Sequence, residues 1–257
     1  MLTILSPAKT LDETPPQLGS DFTTPEFLEQ SVKLVSKLNR LSRKKIQSLM
    51  NLSDNLARLN QKRYTDFKTP FTLENAKQNV TMFNGDVYEG VAVDDFSRED
   101  FIFAQNHLRI LSGLYGVLRP LDLIQPYRLE MGTKLSIGRR RDLYGFWEDR
   151  VTEHLNKALS EQGDDILINL ASNEYSKVVN IKKIKGRIIA PVFKEERDES
   201  FTLISFFAKK ARGQLARYII KNKLRSVDEI KDFDIDGYGL NPGLSTENQP
   251  VFTRKSL

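Results

Sequence analysis

The chain has 257 residues, of which 28% are charged and 39% hydrophobic, values typical of a globular protein with a substantial core. It contains no apolar run of about 18 residues, which excludes a membrane-spanning helix. It also contains no cysteine, which excludes disulfides, thiolate metal sites and a cysteine nucleophile. The N-terminus lacks the basic region and long apolar core of a signal peptide, so we expect a cytoplasmic protein.

The net charge is +5 and the isoelectric point of the sequence is about 9.2. A basic balance favours polyanions such as nucleic acid or nucleotides if the cations cluster on one surface. Scattered cations would indicate solubility and little else.

Residues 3–5 predict a short strand that runs into a loop carrying Ser6 and Lys9. A strand that ends this way often delivers its polar side chains to a cleft at the sheet edge. An isolated lysine is more often an ordinary surface residue, so both interpretations of Lys9 stay open.

Three helices are predicted in the first third of the chain, over about 25–41, 43–50 and 54–67. Each periodic apolar pattern follows a hydroxyl residue suited to capping a first helical turn, namely Thr24, Ser42 and Ser53. We expect these helices to form a layer around the core.

The next segment predicts a strand over 80–83 followed by a turn at Asn84-Gly85-Asp86. Polar residues at a turn usually satisfy their own backbone. Asn84 and Asp86 equally suit the lining of a polar pocket.

Ser97 and Asp100 resemble a capping box, and the apolar stripe after them predicts a buried helix that reaches Leu111. Gly113 and Gly116 then permit a tight hairpin, since glycine accepts a positive φ. His107 lies inside the helix and is interpreted as a satisfied structural histidine rather than a ligand.

The run LRILSGLYGVLRPLDLIQPYRLEM, residues 108–131, is the most informative in the chain. Its two prolines remove backbone donors and prevent one unbroken helix. A stiff loop with both signs of charge suits the positioning of side chains, and an ordinary helix-to-loop connection is the alternative. Its polar residues are Arg119, Asp122, Tyr127, Arg128 and Glu130.

In the second half, residues 165–170 form an apolar run that predicts a buried strand, ending in a polar cluster at 171–175. Ligands of open α/β sheets bind at such carboxyl ends. Further strands are predicted over 187–193 and 201–206, with edge strands in 233–254. A cationic trio, Arg139–Arg141, follows Gly138.

A helix is predicted over 207–221, with small residues interleaved among its cations. A glycine inside a helix costs about 1 kcal/mol relative to alanine. Close approach of another backbone at Gly213 would compensate for this cost, so we expect such an approach. The row of cations is either a solvated face or a surface that binds an anion. The row consists of Lys210, Arg217 and Lys221, with Lys209 and Arg212 on the far flank.

The sequence contains no Walker-type loop, dinucleotide glycine fingerprint or nucleophile elbow. Its two histidines and absent cysteines exclude zinc-finger and iron–sulfur ligation. We find no carboxylate spacing that predicts a metal site, so no metal and no cofactor is expected, and direct iron sequestration is the least supported function.

Several runs resemble the YaaA family of bacterial peroxide-stress proteins, also described as UPF0246-type. They extend in order from the first residues to the last third of the chain: SPAKTLD, FNGDVYEG, LRILSGLYGVLRPLDLIQPYRLEMG, INLASNEY and FFAKKARG. The resemblance implies one mixed α/β domain over 1–257, with a central mixed sheet surrounded by helices. It also implies a helix-hairpin-helix-like element near 97–125, a basic cleft and DNA binding that limits iron-driven damage under hydrogen peroxide.

Two functions are carried forward. The first is DNA binding without strong sequence preference, to double-stranded or structured DNA, by a protein expected to be monomeric and not membrane-bound. Its phosphate-binding candidates are Lys9, Gly113, Gly116, Arg119, Arg128, Lys209, Lys210, Arg212 and Arg217.

The second function is an enzyme acting on a nucleotide or nucleic acid in a polar, basic cleft, where a small nucleotide would be the ligand. Glu130, Glu174 and Lys9 are the candidate catalytic residues. The cleft would be lined by Asn84, Asp86, Tyr127, Asn169, Ser172 and Tyr175. A buried polar network that only stabilises strand ends is the alternative to this interpretation.

Overall fold

The computed structural model describes residues 1–14, 19, 21–197 and 200–255. Its strands are β1 (Leu2–Leu5), β2 (Thr10–Leu11), β3 (Lys77–Gln78), β4 (Phe83–Asn84), β5 (Leu108–Ser112), β6 (Gly116–Leu118), β7 (Leu123–Ile124), β8 (Ile166–Asn169), β9 (Arg187–Ile189), β10 (Val192–Arg197), β11 (Ser200–Thr202), β12 (Gly239–Leu240) and β13 (Val251–Lys255).

The helices are α1 (Leu28–Asn39), α2 (Arg43–Met50), α3 (Asp54–Asp66), α4 (Asn79–Met82), α5 (Asp86–Val91), α6 (Arg98–His107), α7 (Leu143–Glu161), α8 (Asn173–Ser176), α9 (Ser205–Lys221) and α10 (Val227–Ile230). Single turns of 3-10 helix occur at Val93–Asp95, Ile181–Lys183 and Ile235–Gly237. Among the described residues, no helix is both long and apolar enough to cross a membrane.

The central sheet has the strand order β6-β5-β1-β8-β9 and is mixed. β5, β1, β8 and β9 run parallel, and β6 returns antiparallel to β5. In register, Thr3 lies opposite Leu108 on one side and Ile168 on the other. The strands are nearly continuous apolar runs because helices cover a parallel sheet. Their carboxyl ends therefore meet at one edge, which bears Ser112 and Asn169.

A second sheet has the order β11-β10-β13-β12, in which β10 and β13 are parallel. Its core is aromatic: the Phe193 and Phe252 rings stack 5.5 Å apart, and Phe233 packs edge-on against both. Glu195 and Arg254 form an ion pair in register across these strands.

Helix α9 lies between the two sheets, because it packs on β10 of the second sheet and on α6, which packs on β1 and β5 of the central sheet. Helix α9 also packs closely on α5. The α5 contact depends on two glycines. A Cβ at Gly213 would lie 1.8 Å from the Val87 carbonyl oxygen, and one at Gly90 would lie 2.3 Å from the Lys210 carbonyl oxygen. The close backbone approach expected at Gly213 is confirmed.

The mixed α/β fold with a central mixed sheet is confirmed, as are several local predictions. Ser42 and Ser53 cap α2 and α3, and Ser97 with Asp100 forms a complete capping box at α6. The first helix begins at Leu28 rather than beside Thr24.

Other boundaries differ where tertiary pairing overrides the local pattern. Residues 79–82 are helical rather than a strand, held by Asn79, whose side chain donates to the carbonyls of Arg119 and Asp122. Residues predicted as a strand over 201–206 contain the start of α9, and the run over 187–193 is split between β9 and β10. β13 lies inside its sheet, so only β12 of the C-terminal segment is an edge strand.

The helix-hairpin-helix-like element expected near 97–125 is not confirmed. Helix α6 ends at His107, and the next residues form strand β5, whose apolar pattern resembled a continuing buried helix. The two glycines lie in the β-hairpin between β5 and β6. The segment is thus a helix followed by a β-hairpin.

Candidate functional site

Polar side chains collect where the loops after β1 and β8 meet the segment 127–132; we call this place the strand-end cleft. The Ser6 hydroxyl donates to the Ser172 Oγ at 3.2 Å, and the Ser172 amide donates back to the Ser6 Oγ at 2.9 Å. The Tyr88 hydroxyl, from α5, donates to the Ser6 carbonyl at 3.0 Å. Two strand ends and a helix are therefore joined at Ser6.

Three charged side chains of this cleft are linked through one carboxylate. Lys9 Nζ lies 3.3 Å from the Oε1 of Glu130, and Arg128 approaches the same oxygen at 3.2 Å. The Lys9 side chain is 64% exposed, whereas that of Glu130 is 14% exposed. Residues separated by about 120 positions thus meet just beyond the end of β1.

Two tyrosines form the inner wall beside this ion cluster. Tyr127 and Tyr175 are both buried and line the same recess as Lys9, Arg128 and Glu130. Burial raises the pKa of Tyr127 and, well above its ordinary value, that of Tyr175. Both hydroxyls therefore keep their protons at neutral pH.

The loop carrying Arg139–Arg141 is attached to the cleft at both ends. The Gly132 amide donates to the Glu174 Oε1 at 3.1 Å, and the Tyr144 hydroxyl donates to the Glu174 carbonyl at 2.8 Å. The three arginines between these anchors are exposed. Lys177, one turn after Glu174, lies 5.0 Å from the Tyr144 ring centre, which adds another cation to this rim.

The remaining polar candidates lie on segments that neighbour the loops of the strand-end cleft. Strand pairing places Asn84 opposite Thr10, and Asp86 begins α5 beside the loop that carries Ala8, where it pairs with Lys209 at 3.3 Å. Asn169 ends β8, and its side chain accepts from the Ala171 amide at 3.1 Å. The side chain of Asn169 is therefore used to shape the turn that follows the strand.

Most cations of α9 are paired with acids from other parts of the chain. Lys210 pairs with Asp236 at 3.4 Å, Arg217 with Asp95 at 2.5 Å, and Lys221 with Asp100 at 3.0 Å. This row therefore carries little free positive charge.

Two further arginines differ in their surroundings. Arg212, also on α9, has no carboxylate partner among the described residues, and burial lowers the pKa of its guanidinium. Arg119 pairs with the buried Asp122, outside the strand-end cleft.

Gly113 and Gly116 lie in the interior of the protein. The Gly113 carbonyl accepts from the Trp147 indole at 2.9 Å, and Gly116, at φ +73°, lies against the Trp147 ring. The amides of Leu114 and Tyr115 donate to the Ser112 Oγ. Phosphate binding at this turn would require the hairpin to open.

The rings of both histidines already have hydrogen-bond partners elsewhere in the protein. His107 Nδ1 lies 2.8 Å from the Met1 carbonyl, and His154 Nδ1 lies 2.8 Å from the Oε2 of Glu26. Within the part of the chain that the structure describes, no group of three His, Asp or Glu side chains is placed to hold a metal ion.

Sequence reasoning did not single out Ser112 or Tyr88 as site residues. Ser112 ends β5, which is parallel to β1, so the strand-end rule that selected Lys9 and Ser172 applies to it as well. It was missed because β5 was interpreted as the end of a helix.

The fold and the site define a mixed α/β protein with polar and charged side chains at the carboxyl ends of parallel strands. The model of the family described as peroxide stress protein YaaA matches residues 1–244, and the chain belongs to this family. The chain is also 53% identical to a UPF0246 protein of Tolumonas auensis over 254 residues, which cover 99% of this chain and 98% of that relative. The resemblance inferred from the five sequence runs is confirmed.

Proposed function

We propose that this protein binds the phosphate backbone of DNA at the strand-end cleft, without strong sequence preference, as part of the response to hydrogen peroxide. One observation supports the proposal: Lys9 and Arg128, from distant parts of the chain, bind the same carboxylate, and a loop anchored nearby carries three exposed arginines. Lys9 follows β1, Arg128 lies beside it, and Arg139–Arg141 extend from a loop anchored at Glu174. The family membership supports the peroxide-stress context.

The contacts available in this cleft favour phosphates over bases. Ammonium and guanidinium groups attract phosphate oxygens regardless of sequence, whereas base reading needs side chains held in a groove. Neutralising phosphates also releases the cations condensed on DNA. Displacement of ferrous ions held as counterions is therefore a direct route by which binding would limit iron-driven damage.

The test is DNA affinity, measured by fluorescence anisotropy over a salt series on duplexes of unrelated sequence. For the wild type, the logarithm of the affinity should fall steeply with the logarithm of salt concentration, by about 0.9 per phosphate contact. Lys9→Ala and Arg139→Ala should each weaken binding equally on all sequences and reduce the slope by about 1. Undetectable or salt-insensitive binding by the wild type would overturn the proposal.

Lys157→Ala is the matched control. Lys157 is 65% exposed and pairs with Glu161 at 3.9 Å, which resembles the exposure and pairing of Lys9. It lies 13 residues beyond Tyr144 on α7, about 20 Å along the helix from the cleft. Its replacement should leave the affinity and the salt slope unchanged.

A second function, an enzyme acting on a nucleotide or nucleic acid, is favoured by the recess itself. Glu130 lies between two cations and beside two protonated tyrosines, a combination of acid, base and donor groups that exceeds what backbone attraction needs. The test is chromatographic detection of products from nucleotides and DNA. Turnover that is lost in Glu130→Gln and kept in Lys157→Ala would support catalysis, and no turnover by the wild type would exclude it.

A further inference from the structure

A cavity that shares no lining residue with the strand-end cleft lies between α5, α9 and the turn before β12; we call it the α9 cavity. Its volume is about 140 Å³. Engineered cavities of about 150 Å³ hold a benzene molecule, so there is room here for a ligand of about six non-hydrogen atoms. Helical spacing puts Phe206, Lys210 and Gln214 within about 80° of one another on α9. Glu89 of α5 and Asp236 also line the cavity.

The charges around this cavity leave one carboxylate without a partner. Lys210 Nζ lies 3.4 Å from the Asp236 Oδ2, so these two charges compensate each other. Arg254, which is also in the wall, forms its ion pair with Glu195. Glu89 is exposed, and its carboxylate has no ion-pair or hydrogen-bond partner in the described part of the chain. The net charge of these five side chains is therefore −1, although the chain as a whole is basic.

The buried polar atom that lacks a partner in the cavity wall is a hydrogen-bond acceptor. Gln214 is 7% exposed, and its Nε2 donates to the Asp236 Oδ2 at 2.7 Å, which fixes the orientation of the amide. The Gln214 Oε1 is buried and accepts no hydrogen bond from any described residue. A buried acceptor without a donor is unfavourable, and an N–H group of a ligand would remove this penalty.

An exposed aromatic ring borders the same cavity. Phe206 is 53% exposed, and its ring packs edge-on against Phe207, with the ring centres 5.4 Å apart. The Phe207 ring already contacts a cation of the protein, because the Arg254 guanidinium lies 4.8 Å from its centre. Among the described residues, no such cation lies over the ring of Phe206. The Phe206 ring can therefore attract a cation from solution through its quadrupole.

These features match one class of ligand. A cation with N–H donors compensates Glu89, donates to Gln214 and packs its apolar stem on Phe206. An anion would be repelled by Glu89. No group of three His, Asp or Glu side chains is placed to hold a metal ion within the described ranges. We infer that the α9 cavity binds a small organic cation, an alkyl ammonium or guanidinium, through Glu89, Gln214 and Phe206.

The experiment is an NMR titration of the full chain at pH 7 with n-butylamine, which is protonated at this pH, and with 1-butanol, a neutral molecule of the same size. Butylamine should cause saturable shifts of the backbone amides around the α9 cavity. Butanol should bind at least about tenfold more weakly, because it lacks the charge that Glu89 attracts.

Two variants remove separate contacts of the ligand. Glu89→Gln should weaken butylamine binding about tenfold, and Phe206→Leu about two- to fivefold. The matched control is Glu153→Gln on α7, since Glu153 is also exposed and has no ion pair among the residues described. This control should keep the wild-type affinity. Both substituted cavity side chains are exposed, and thermal melts show whether each variant is folded.

A third probe, Nα-acetyl-lysinamide, distinguishes the source of the cation, because it carries the same aminobutyl group on a blocked backbone. Binding as tight as that of butylamine would support the inference and assign the cavity to a lysine side chain of another protein. Rejection of this probe, with butylamine bound, would support it and assign the cavity to a free amine.

Three results would overturn the inference. Shifts that do not saturate with butylamine would show that there is no site. Equal affinity for butanol would show that the cavity is filled by an apolar group only. Equal butylamine affinities of Glu89→Gln and Glu153→Gln would show that the unpaired carboxylate of the cavity does not bind the cation.

Discussion

Two ionic clusters of this protein differ in whether their hydrogen bonds are complete. In the second sheet, Arg254 Nε donates to both carboxylate oxygens of Glu195, and its Nη1 donates to the Asp236 carbonyl. The guanidinium lies 4.8 Å and 4.7 Å from the ring centres of Phe207 and Tyr238. Both charged side chains are nearly fully buried and are hydrogen-bonded to other groups of the protein. We call such a cluster closed.

The strand-end cleft is open by the same criterion. Lys9 is largely exposed, and its ammonium, which has three N–H donors, has one ion-pair partner, Glu130, among the described residues. The two clusters contain similar residue types, so composition does not separate a structural cluster from a binding site. Unused hydrogen-bonding capacity separates the two kinds of cluster. The predictions below compare the effects of substitutions in the two clusters and in the helix contact between them.

The largest expected effect is the loss of stability in Glu195→Ala. Removal of this carboxylate leaves the buried Arg254 charge without a partner, which should lower the free energy of unfolding by about 3–5 kcal/mol. Urea denaturation measures the change. Glu196→Ala, at the next position on the same strand, should change stability by less than about 0.5 kcal/mol. Loss of DNA binding by folded Glu195→Ala would contradict a purely structural role.

A second closed cluster should make stability depend on pH. Arg109 Nε donates to His154 Nε2 at 3.1 Å, and burial together with the Arg109 charge lowers the pKa of His154 to about 4. The unfolded chain, with a histidine pKa of about 6.5, binds this proton at higher pH than the folded chain. Stability should therefore be unaffected above about pH 6.5 and fall by up to about 3 kcal/mol as the pH decreases to 4.

Urea denaturation at pH 7, 5.5 and 4.5 measures this dependence. His154→Gln should flatten it, while the smaller contribution of His107, whose pKa burial also lowers, should persist. An unchanged dependence in His154→Gln would contradict the assignment. Asp100 acts at lower pH: burial opposes its ionisation, but hydrogen bonds from Lys223, the Ser97 amide and Lys221 keep its pKa well below the usual range.

The features that could be predicted from the sequence are those that residues close together in the chain determine. Ser97 and Asp100 are three residues apart, and their capping box could be predicted because a helix start is a local property. The strand-end rule likewise drew attention to Lys9 and Ser172, which follow the neighbouring strands β1 and β8. Strand β5 was missed, because an apolar run such as Leu108–Leu111 is compatible with a buried helix or a buried strand until its partner is known.

The charge of α9 shows the same limit for function. Arg217 pairs with Asp95 and Lys209 with Asp86, over separations of more than 120 residues. Helical spacing predicts which cations share a face of α9. It does not predict which acids neutralise them, because that depends on how distant helices pack.

A third prediction concerns the α5–α9 contact, which connects the open cleft to the closed cluster. Gly213→Ala should lower the free energy of unfolding by about 1–3 kcal/mol, since the new Cβ would collide with the Val87 carbonyl oxygen. Urea denaturation tests this. In Gly145→Ala the new Cβ would meet no atom nearer than 3.4 Å, so stability should stay constant or rise by up to about 1 kcal/mol. Equal tolerance of both substitutions would contradict the close helix contact.

The smallest expected change in stability belongs to Glu130→Gln, in the open cleft. Its partner Lys9 is 64% exposed and screened by solvent, so the free energy of unfolding should fall by less than about 1 kcal/mol. The same substitution removes the one negative charge between Lys9 and Arg128, so the net charge of these three side chains rises from +1 to +2. DNA affinity at low salt should therefore rise, and its salt dependence should steepen, because phosphates meet one more uncompensated positive charge. A loss of stability comparable to that of Glu195→Ala would instead show that the cleft is also a closed cluster. Weaker DNA binding by a stable Glu130→Gln would show that Glu130 positions the cations for the phosphate, rather than competing with it.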